Sequence, residues 1–464
     1  YTNSTLAEIA AADLSLDDAQ LVTARLHGCE NWPSFEQLIS RLAEGKIAEP
    51  FRDAFRAIEA DDVAALSAIL DAHSDLANAI GTNGNSLLNL AGSMRRIEIT
   101  RLLISHGADV NLANFKGWGP LHQAAYSNQA ALIEILLKAG AQPNLEAYGP
   151  GGTPLMQALF WGHREAAEAL AAKGVVPNNL RAASGAGRLD LVKSFFLENG
   201  ELTPQAGARR DYHRPHSGFP PWKPANQRQE ILDEALVYAA KNNQIAVMEL
   251  LLSKGAGLDA EPYNGTALHW AIANGNTEAV SWLLDRGAYI EQRAGLGGVT
   301  DISPLCCAAW GGKTEMVKLL LQRGADSTRR DPVYHATPAG WADHNGHFET
   351  RDYLLEHGTI DLFDAIRFNH PGAALRAIQS DPAAVNRPLY PAGEGGDNAE
   401  PPLPIYRAIY SRSHEMVELL LQHGADPLPA LPGSDGVSPA RLAESLGLRQ
   451  TAELLSQASA GRGG

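Results

Sequence analysis

The chain has 464 residues, 45% of them hydrophobic, and a formal net charge of −15, so it can bury a large core. Because affinity for nucleic acid comes largely from Lys and Arg replacing counterions, this acidic balance argues against a nucleic-acid partner. No apolar run reaches the roughly 18 residues of a membrane helix, so we expect no membrane insertion.

The cysteines and the N-terminus bear on the compartment. Cys29, Cys306 and Cys307 are the three cysteines, and adjacent cysteines rarely pair, so no disulfide framework is predicted. A reducing, cytoplasmic location is the default expectation. Residues 1–4 lack the basic start and apolar stretch of a secretory signal, and a chain that opens on Tyr is expected to have been trimmed.

Residues 1–50 predict two short helices. Ser15 followed three residues later by Asp18 is a helix-capping signature ahead of an apolar run. A second helix is expected to begin near Asn31 and Trp32. We interpret this segment as a helical leader that caps the repeat array following it.

From residue 51 onward one pattern recurs along the chain. A capping residue or glycine precedes Pro or Ala and then Leu, and three residues after this Leu comes an alanine, at 119–125, 153–159, 266–272 and 303–309. At 124–125 and 308–309 this alanine belongs to a pair of small residues. A leucine pair and a glycine follow, as at Leu136-Leu137 and Gly140. The first of these segments start about 34 residues apart, which indicates an internal repeat.

Each part of the pattern has a structural task. Thr or Ser caps the first helix of a repeat, and Pro in its first turn needs no hydrogen-bond donor. The small pair lets this short inner helix pack closely, and the leucine pair buries the second, outer helix. The glycine ends the outer helix in the left-handed conformation. One repeat cannot cover its own apolar face, so neighbouring repeats must stack.

These residues resemble the ankyrin repeat consensus over roughly residues 51–458. The resemblance implies an all-α ankyrin-repeat solenoid of about 11 or 12 helix–turn–helix repeats with β-hairpin loops. The leader resembles a short helical segment seen before ankyrin arrays in bacterial proteins. Residues 360–386 are expected to form a helix pair without the usual hairpin. The predicted repeats start near Phe51, Asn85, Gly119, Thr153, Asn178, Glu234, Thr266, Ser303, Thr337, Ile360, Leu403 and Ser438.

The expected organisation follows from the repeats and their interruptions. The leader covers 1–50, N-terminal repeats 51–200, an insertion 201–230, further repeats with a cap 231–458, and a flexible tail 459–464. Two smaller insertions are expected, a Gly-rich one between Tyr289 and Ser303 and one over 388–402.

The central insertion, 201–230, concentrates aromatic, imidazole and guanidinium groups between prolines, unlike a Gly/Ser linker. We predict a stiff loop that folds over the concave groove. Its candidate catalytic residues are Asp211, Tyr212, His213 and His216, as acid and base, and Arg214 is a candidate anion clamp. The alternative is structural: Arg and Asp pair locally, and Tyr and His plug the groove. Two histidines without further converging ligands do not predict a metal site.

The resemblance also implies a binding surface, because ankyrin proteins usually bind ligands with hairpin tips and the exposed face of the inner helices. The residues at and after each small pair are unusually rich in aromatic side chains, which suggests a recognition groove. The candidate ligand-binding residues are Tyr126, Phe160, Trp161, Trp270, Trp310, Trp341, His344 and Tyr410 on inner helices, with Arg214 and Trp222 in the insertion.

Other reactive residues have structural interpretations. His122 and His269 occupy the motif histidine, which usually bonds the backbone of a neighbouring hairpin. Cys306 and Cys307 lie on an inner helix among small residues, where buried thiols are ordinary. No nucleophile elbow, phosphate loop or zinc-protease motif is found, and no cofactor or metal is expected.

Two functions are therefore open. The first is a binding module that recognises a partner protein or peptide through the concave groove, without chemistry. The second is a small-molecule binder or an enzyme with hydrolase- or lyase-type acid–base chemistry, in a pocket between the concave face and the 201–230 insertion. The resemblance favours the first, because ankyrin arrays seldom catalyse reactions. The insertion favours the second, because a protein-binding groove is normally left open.

Overall fold

The computed structural model describes residues 15–26, 31–43, 50–81, 84–114, 116–210, 224–262, 264–296, 299–359, 361–388, 403–428 and 437–460. The chain forms two compact units, Tyr1–Gly257 and Leu258–Gly464. Helices dominate both units, which confirms the all-α repeat architecture expected from the sequence.

The first unit contains the leader helices α1 and α2, which pack on each other, and then pairs in which odd-numbered helices are inner and even-numbered helices are outer. Helices of 3-10 type lie at Ser74–Asn78 and Pro204–Gly207. The α-helices are α1 (Leu16–Leu26), α2 (Trp32–Ala43), α3 (Pro50–Glu59), α4 (Val63–Ala72), α5 (Leu87–Ser93), α6 (Ile97–Ser105), α7 (Pro120–Tyr126), α8 (Ala130–Lys138), α9 (Pro154–Trp161), α10 (Arg164–Ala172), α11 (Leu180–Gly185), α12 (Leu189–Ser194), α13 (Arg228–Lys241) and α14 (Ile245–Ser253).

The second unit continues the same alternation of inner and outer helices. Between its first two repeats the strands β1 (Ala294–Leu296) and β2 (Val299–Ile302) pair in antiparallel fashion. The α-helices are α15 (Ala267–Ala273), α16 (Thr277–Asp285), α17 (Pro304–Trp310), α18 (Thr314–Gln322), α19 (Pro338–His344), α20 (Phe348–His357), α21 (Leu362–Arg367), α22 (Pro371–Ser380), α23 (Pro404–Tyr410), α24 (His414–Gln422), α25 (Pro439–Ser445) and α26 (Arg449–Ala460).

The inner helices begin as their sequence dictates. The hydroxyls of Thr153, Ser303 and Thr337 each accept the backbone N–H three residues on, at 3.3, 3.2 and 3.2 Å. A proline follows each of these caps directly. Each such cap contributes about 1 kcal/mol, because it satisfies a backbone N–H that would otherwise lack a partner. The predicted capping role of Thr and Ser is therefore confirmed.

The small pair and the leucine do the packing that the sequence predicted. Ala124 and Ala125 on α7 and Leu136 on α8 are completely buried. Each of these side chains contributes to a core shared between neighbouring repeats, since successive inner helices pack on one another within each unit. Gly140 then ends the outer helix with φ +93°, a left-handed conformation that favours glycine.

Three boundaries differ from the sequence-based expectation. Helix α13 begins at Arg228, inside the predicted insertion over 201–230, because residues 228–233 extend the inner helix ahead of the predicted repeat start at Glu234. The Gly-rich segment before Ser303 contains the β1–β2 hairpin. Helix α26 runs to Ala460, into the predicted tail, while residues 461–464 lie outside the described residues.

The helix pair predicted near Ile360 is present, while the absence of a hairpin after it stays a prediction, because residues 389–402 lie outside the described residues. Helices α21 and α22 are followed directly by a 3-10 helix, Pro382–Asn386. Asp361 caps α21, since its carboxylate accepts the Asp364 N–H at 3.1 Å. The first repeat is built in the same way, with the 3-10 helix Ser74–Asn78 after α4.

Candidate functional site

The candidate surface lies at the last residue of several inner helices. Within the second unit these residues are Trp310 of α17, His344 of α19 and Tyr410 of α23. Trp310 and Tyr410 are 38% and 49% exposed, and His344 is also exposed. In the first unit the corresponding residues Tyr126 and Trp161 are half-buried. In these repeats the last residue of the inner helix thus has a large side chain that is at least partly accessible.

Three other predicted ligand-binding side chains lie in the interior. Phe160, Trp270 and Trp341 are only 1%, 4% and 7% exposed. The Trp270 indole donates to the Asn264 carbonyl at 2.8 Å, and the Trp341 indole donates to the Asp331 carboxylate at 3.1 Å. Direct contact of these three buried rings with a ligand stays a prediction.

Aromatic contacts link several repeats of the first unit. We call this series the aromatic ladder. Its successive ring centroids lie 5.6, 5.7, 5.8, 5.1 and 6.4 Å apart, mostly edge to face, which is the favoured geometry for aromatic pairs. In order, the rings belong to Tyr148, Trp118, Tyr126, Trp161, Phe160 and Tyr238.

A cluster of buried charges adjoins the end of this ladder. The Arg181 Nη1 donates to Glu234 at 2.6 Å, and the Arg210 Nε donates to the other oxygen of Glu234 at 2.5 Å. Arg210 also pairs with Glu230. The side chains of Arg181, Arg210 and Glu234 are at most 4% exposed. We call these four residues the buried ion cluster, and it joins α11 to α13 across the interrupted part of the repeat array.

The electrostatics of the cluster follow from burial and pairing. Burial alone would raise the pKa of Glu234, but the guanidiniums of Arg181 and Arg210 hold that pKa below its usual value. Glu234 is therefore an anion in the folded protein at neutral pH. The Arg181 guanidinium also lies 5.6 Å from the centroid of the Tyr238 ring, which brings the ion cluster into contact with the aromatic ladder.

Lys241 is the last residue of α13 and lies against the same rings. Its Nζ is 3.8 Å from the centroid of Phe160 and 5.0 Å from that of Tyr238, and the residue is 2% exposed. Burial lowers the pKa of Lys241 well below its usual value, although the Glu234 carboxylate opposes this shift. Lys241 is therefore a buried amine with a depressed pKa that lies beside two aromatic rings.

The repeat pattern assigns no functional role to Arg181 or Glu234. A usable signal existed for Arg181, because it falls in the short inner helix α11, whose other residues are all apolar or small. The pairing of Arg181 with Glu234 could not be read from the repeat, since the insertion breaks the period between them.

The predicted residues of the central insertion lie outside the described residues. They are the candidate catalytic residues Asp211, Tyr212, His213 and His216 and the candidate ligand-binding residues Arg214 and Trp222. Their roles stay predictions.

The histidine and cysteine interpretations are confirmed. The His122 Nε2 lies 3.1 Å from the carbonyl oxygens of Leu145 and Gly152, and the His269 Nε2 lies 3.0 Å from that of Ile302. Burial lowers the pKa of both imidazoles to about 4, so both are neutral at pH 7. Cys306 and Cys307 are buried free thiols, and burial raises their pKa to about 12.

Among the residues that the structure describes, no three His, Cys, Asp or Glu side chains are grouped so that they could hold a metal ion. None of the helices described above has the length and apolar character needed to cross a membrane.

The stacked helix pairs define a repeat scaffold, and the last residues of several inner helices are exposed on it. The family model described as "Ankyrin repeats (3 copies)" matches residues 54–147, 114–181 and 180–294. The model described as "Ankyrin repeat" matches residues 300–332. The chain belongs to the ankyrin-repeat family.

Curated relatives share these repeats. "Rabankyrin-5" of Homo sapiens is 26% identical over 370 residues, which is 72% of this chain and 30% of the relative. "Ankyrin repeat and KH domain-containing protein mask-1" of Caenorhabditis elegans is 27% identical over 262 residues, 52% of this chain and 10% of the relative. "Probable 26S proteasome regulatory subunit p28" of Saccharomyces cerevisiae is 34% identical over 127 residues, 26% of this chain and 56% of the relative.

The chain therefore spans less than two thirds of the length of each of these relatives. The repeats that it shares with them support a protein-binding role. All three organisms are eukaryotes, so the comparison gives no support to the likeness between the leader and bacterial proteins.

Proposed function

We propose that this chain is a binding module that recognises a partner protein or peptide through the exposed ends of its inner helices. The observation that carries the proposal is the recurrence of Trp310, His344 and Tyr410 as exposed last residues of α17, α19 and α23. Exposed aromatic side chains on a rigid scaffold are the residues that dominate binding energy at protein interfaces.

The scaffold under this surface is well supported. The Asn345 amide donates to the Trp310 carbonyl at 3.0 Å, which ties the end of α19 to the end of α17. The Trp341 ring lies 5.9 Å from the His344 ring and is itself held by Asp331. Rigid support lowers the entropic cost of binding, because the surface is already arranged before a partner arrives.

The experiment selects peptides from a displayed random library on the full chain and then compares variants with one selected peptide. Trp310→Ala and Tyr410→Ala should each weaken binding by about 2 kcal/mol, the usual effect of removing a central aromatic side chain. Isothermal titration calorimetry measures the affinity. Thermal melting checks that the fold is kept, as expected for exposed positions.

Phe348→Ala is the matched control, because Phe348 is an aromatic residue of outer helix α20 and is 55% exposed. We expect this variant to bind the selected peptide as wild type does. Equal binding by wild type, Trp310→Ala and Tyr410→Ala would contradict the proposal. So would equal losses in all three variants.

Several finer expectations accompany this proposal. We propose that residues 1–50 cap the array and that 201–230 is the principal interruption. The formal net charge of −15 supports a protein partner rather than a nucleic acid. The buried free thiols of Cys306 and Cys307 support a reducing compartment such as the cytoplasm.

A second candidate function, binding of a small molecule, is favoured by one specific observation. Several polar and charged side chains of the first unit are buried against the aromatic ladder rather than exposed. Such a combination of apolar walls and a few polar groups is typical of ligand pockets.

A further inference from the structure

We propose that α9, α11 and α13 of the first unit form a binding site for an organic carboxylate, held by Lys241, Gln157 and Ser184 against the rings of Phe160 and Tyr238. The site goes beyond the protein-binding surface, because its residues lie in the first unit and are buried, whereas Trp310, His344 and Tyr410 lie in the second unit and are exposed.

The three helices meet closely at this point. The Asn242 amide, next to Lys241, donates to the Leu159 carbonyl of α9 at 2.9 Å. Gly185 of α11 lies between them, and a Cβ there would come within 3.1 Å of the Asn242 amide nitrogen and 3.4 Å of the Leu159 side chain. Glycine at 185 is what allows this approach. Ser184 lies three residues after Arg181 and so shares its face of α11, and the Arg181 guanidinium is 5.6 Å from the centroid of the Tyr238 ring.

Helical spacing puts the proposed side chains on converging faces. Gln157 is three residues before Phe160, and Tyr238 is three residues before Lys241, so each pair shares one face of its helix. The Phe160 and Tyr238 ring centroids are 6.4 Å apart, and the Lys241 Nζ lies within 5.0 Å of both. The face of α9 that carries Gln157 therefore meets the face of α13 that carries Lys241.

Two buried polar side chains of α9 and α11 have unsatisfied hydrogen-bonding groups. Gln157 and Ser184 are both 0% exposed. Among the described residues, neither amide atom of Gln157 nor the hydroxyl of Ser184 has a hydrogen-bond partner. Buried polar groups are almost always paired, because leaving one unpaired costs the full price of its desolvation. A bound ligand would supply the missing partners.

The donors at the site favour a carboxylate. The Gln157 Nε2, the Ser184 hydroxyl and the Lys241 ammonium are all hydrogen-bond donors, and a carboxylate offers two acceptor oxygens. Its charge would also compensate the burial of the ammonium, since opposite charges attract strongly where water is excluded. The rings of Phe160 and Tyr238 fit an apolar body attached to that carboxylate.

Titration calorimetry on the full chain tests the proposal, with sodium benzoate as probe and benzyl alcohol as its uncharged counterpart. Wild type should bind benzoate and not benzyl alcohol. Lys241→Met should weaken benzoate binding at least about tenfold, because a charged partner of a buried pair is removed. Gln157→Leu and Ser184→Ala should each weaken it about threefold to tenfold. Methionine has a similar volume and adds no buried charge, so Lys241→Met should fold.

Lys173→Met is the matched control, because Lys173 is exposed at the end of α10 in the same unit, and it should bind benzoate as wild type does. If the peptide acetyl-Gly-Glu-Gly-amide competes with benzoate, the natural ligand is a side-chain carboxylate of a partner protein. If the peptide does not compete, the natural ligand is a free organic acid. The proposal would be overturned if wild type did not bind benzoate, if it bound benzyl alcohol equally well, or if Lys241→Met bound benzoate as wild type does. These outcomes do not depend on whether the Trp310 surface binds a partner.

Discussion

Replacing Glu234 by alanine is the sharpest test of the buried ion cluster. The substitution removes the carboxylate to which Arg181 donates at 2.6 Å and Arg210 at 2.5 Å, while both guanidiniums stay at 1% exposure. Arg210 keeps its pairing with Glu230, so the loss falls mainly on Arg181. Breaking a buried pair by removing one partner usually costs about 3–5 kcal/mol, and we expect the lower part of that range here.

The chain offers an exposed pair of nearly the same geometry as control. Arg164 and Glu168 on α10 are 2.7 Å apart, but their side chains are 78% and 63% exposed. Because water screens exposed pairs, Glu168→Ala should leave the free energy of unfolding unchanged within error. The comparison therefore tests the effect of burial, since the N–O distance of the exposed pair, 2.7 Å, matches the 2.6 Å between Arg181 and Glu234.

Urea unfolding at pH 7, followed by circular dichroism, measures both variants against wild type. A third protein, Arg181→Met with Glu234→Leu, replaces the pair by apolar side chains and should be more stable than Glu234→Ala alone. Equal free energies of unfolding for Glu234→Ala and Glu168→Ala would refute the reasoning. A double variant less stable than Glu234→Ala would refute it as well.

Two further predictions concern histidine and glycine. Because burial lowers the pKa of His122 to about 4, the unfolded chain alone binds this proton between about pH 6.5 and 4. Protonation of His122 in the unfolded chain should therefore lower the free energy of unfolding by about 2 kcal/mol at pH 5 relative to pH 7. In His122→Gln the free energy of unfolding should fall less steeply between pH 7 and pH 5. Equal pH dependence in wild type and His122→Gln would contradict this. Gly117 and Gly107 have nearly the same left-handed φ, +79° and +81°. They differ in the space around them, because a Cβ on Gly117 would overlap the Glu146 carbonyl, whereas a Cβ on Gly107 meets no described atom within 4 Å. In urea unfolding, Gly107→Ala should lower the free energy of unfolding by about 1 kcal/mol, and Gly117→Ala should lower it by at least about 2 kcal/mol more. Equal losses in the two variants would exclude the overlap as the cause.

The repeat architecture could be predicted because its signals are local and repeated. Thr153 and the proline after it specify the start of a helix within a few residues, and Gly140 specifies an end in the same way. Even the degenerate repeat near Ile360 retained enough apolar periodicity to predict α21 and α22. Agreement between separate repeats turned weak local preferences into a firm prediction.

The candidate site was harder to predict because it depends on contacts between residues far apart in the chain. Arg181 and Glu234 are 53 residues apart and belong to repeats separated by the insertion, so no fixed spacing links them. Trp270 and Trp341 are buried because their indole groups find partners in Asn264 and Asp331, which periodicity does not specify. Predicting which inner-helix residues are exposed requires those partners.

The placement of Trp310, His344 and Tyr410 at the last position of their helices also bears on how this protein can change. Caps, small pairs and leucines determine whether a repeat folds, and none of these tasks falls on the final residue of an inner helix. New specificities can therefore arise through single substitutions that leave folding intact. A library randomised at 310, 344 and 410 alone would explore many surfaces on one unchanged framework.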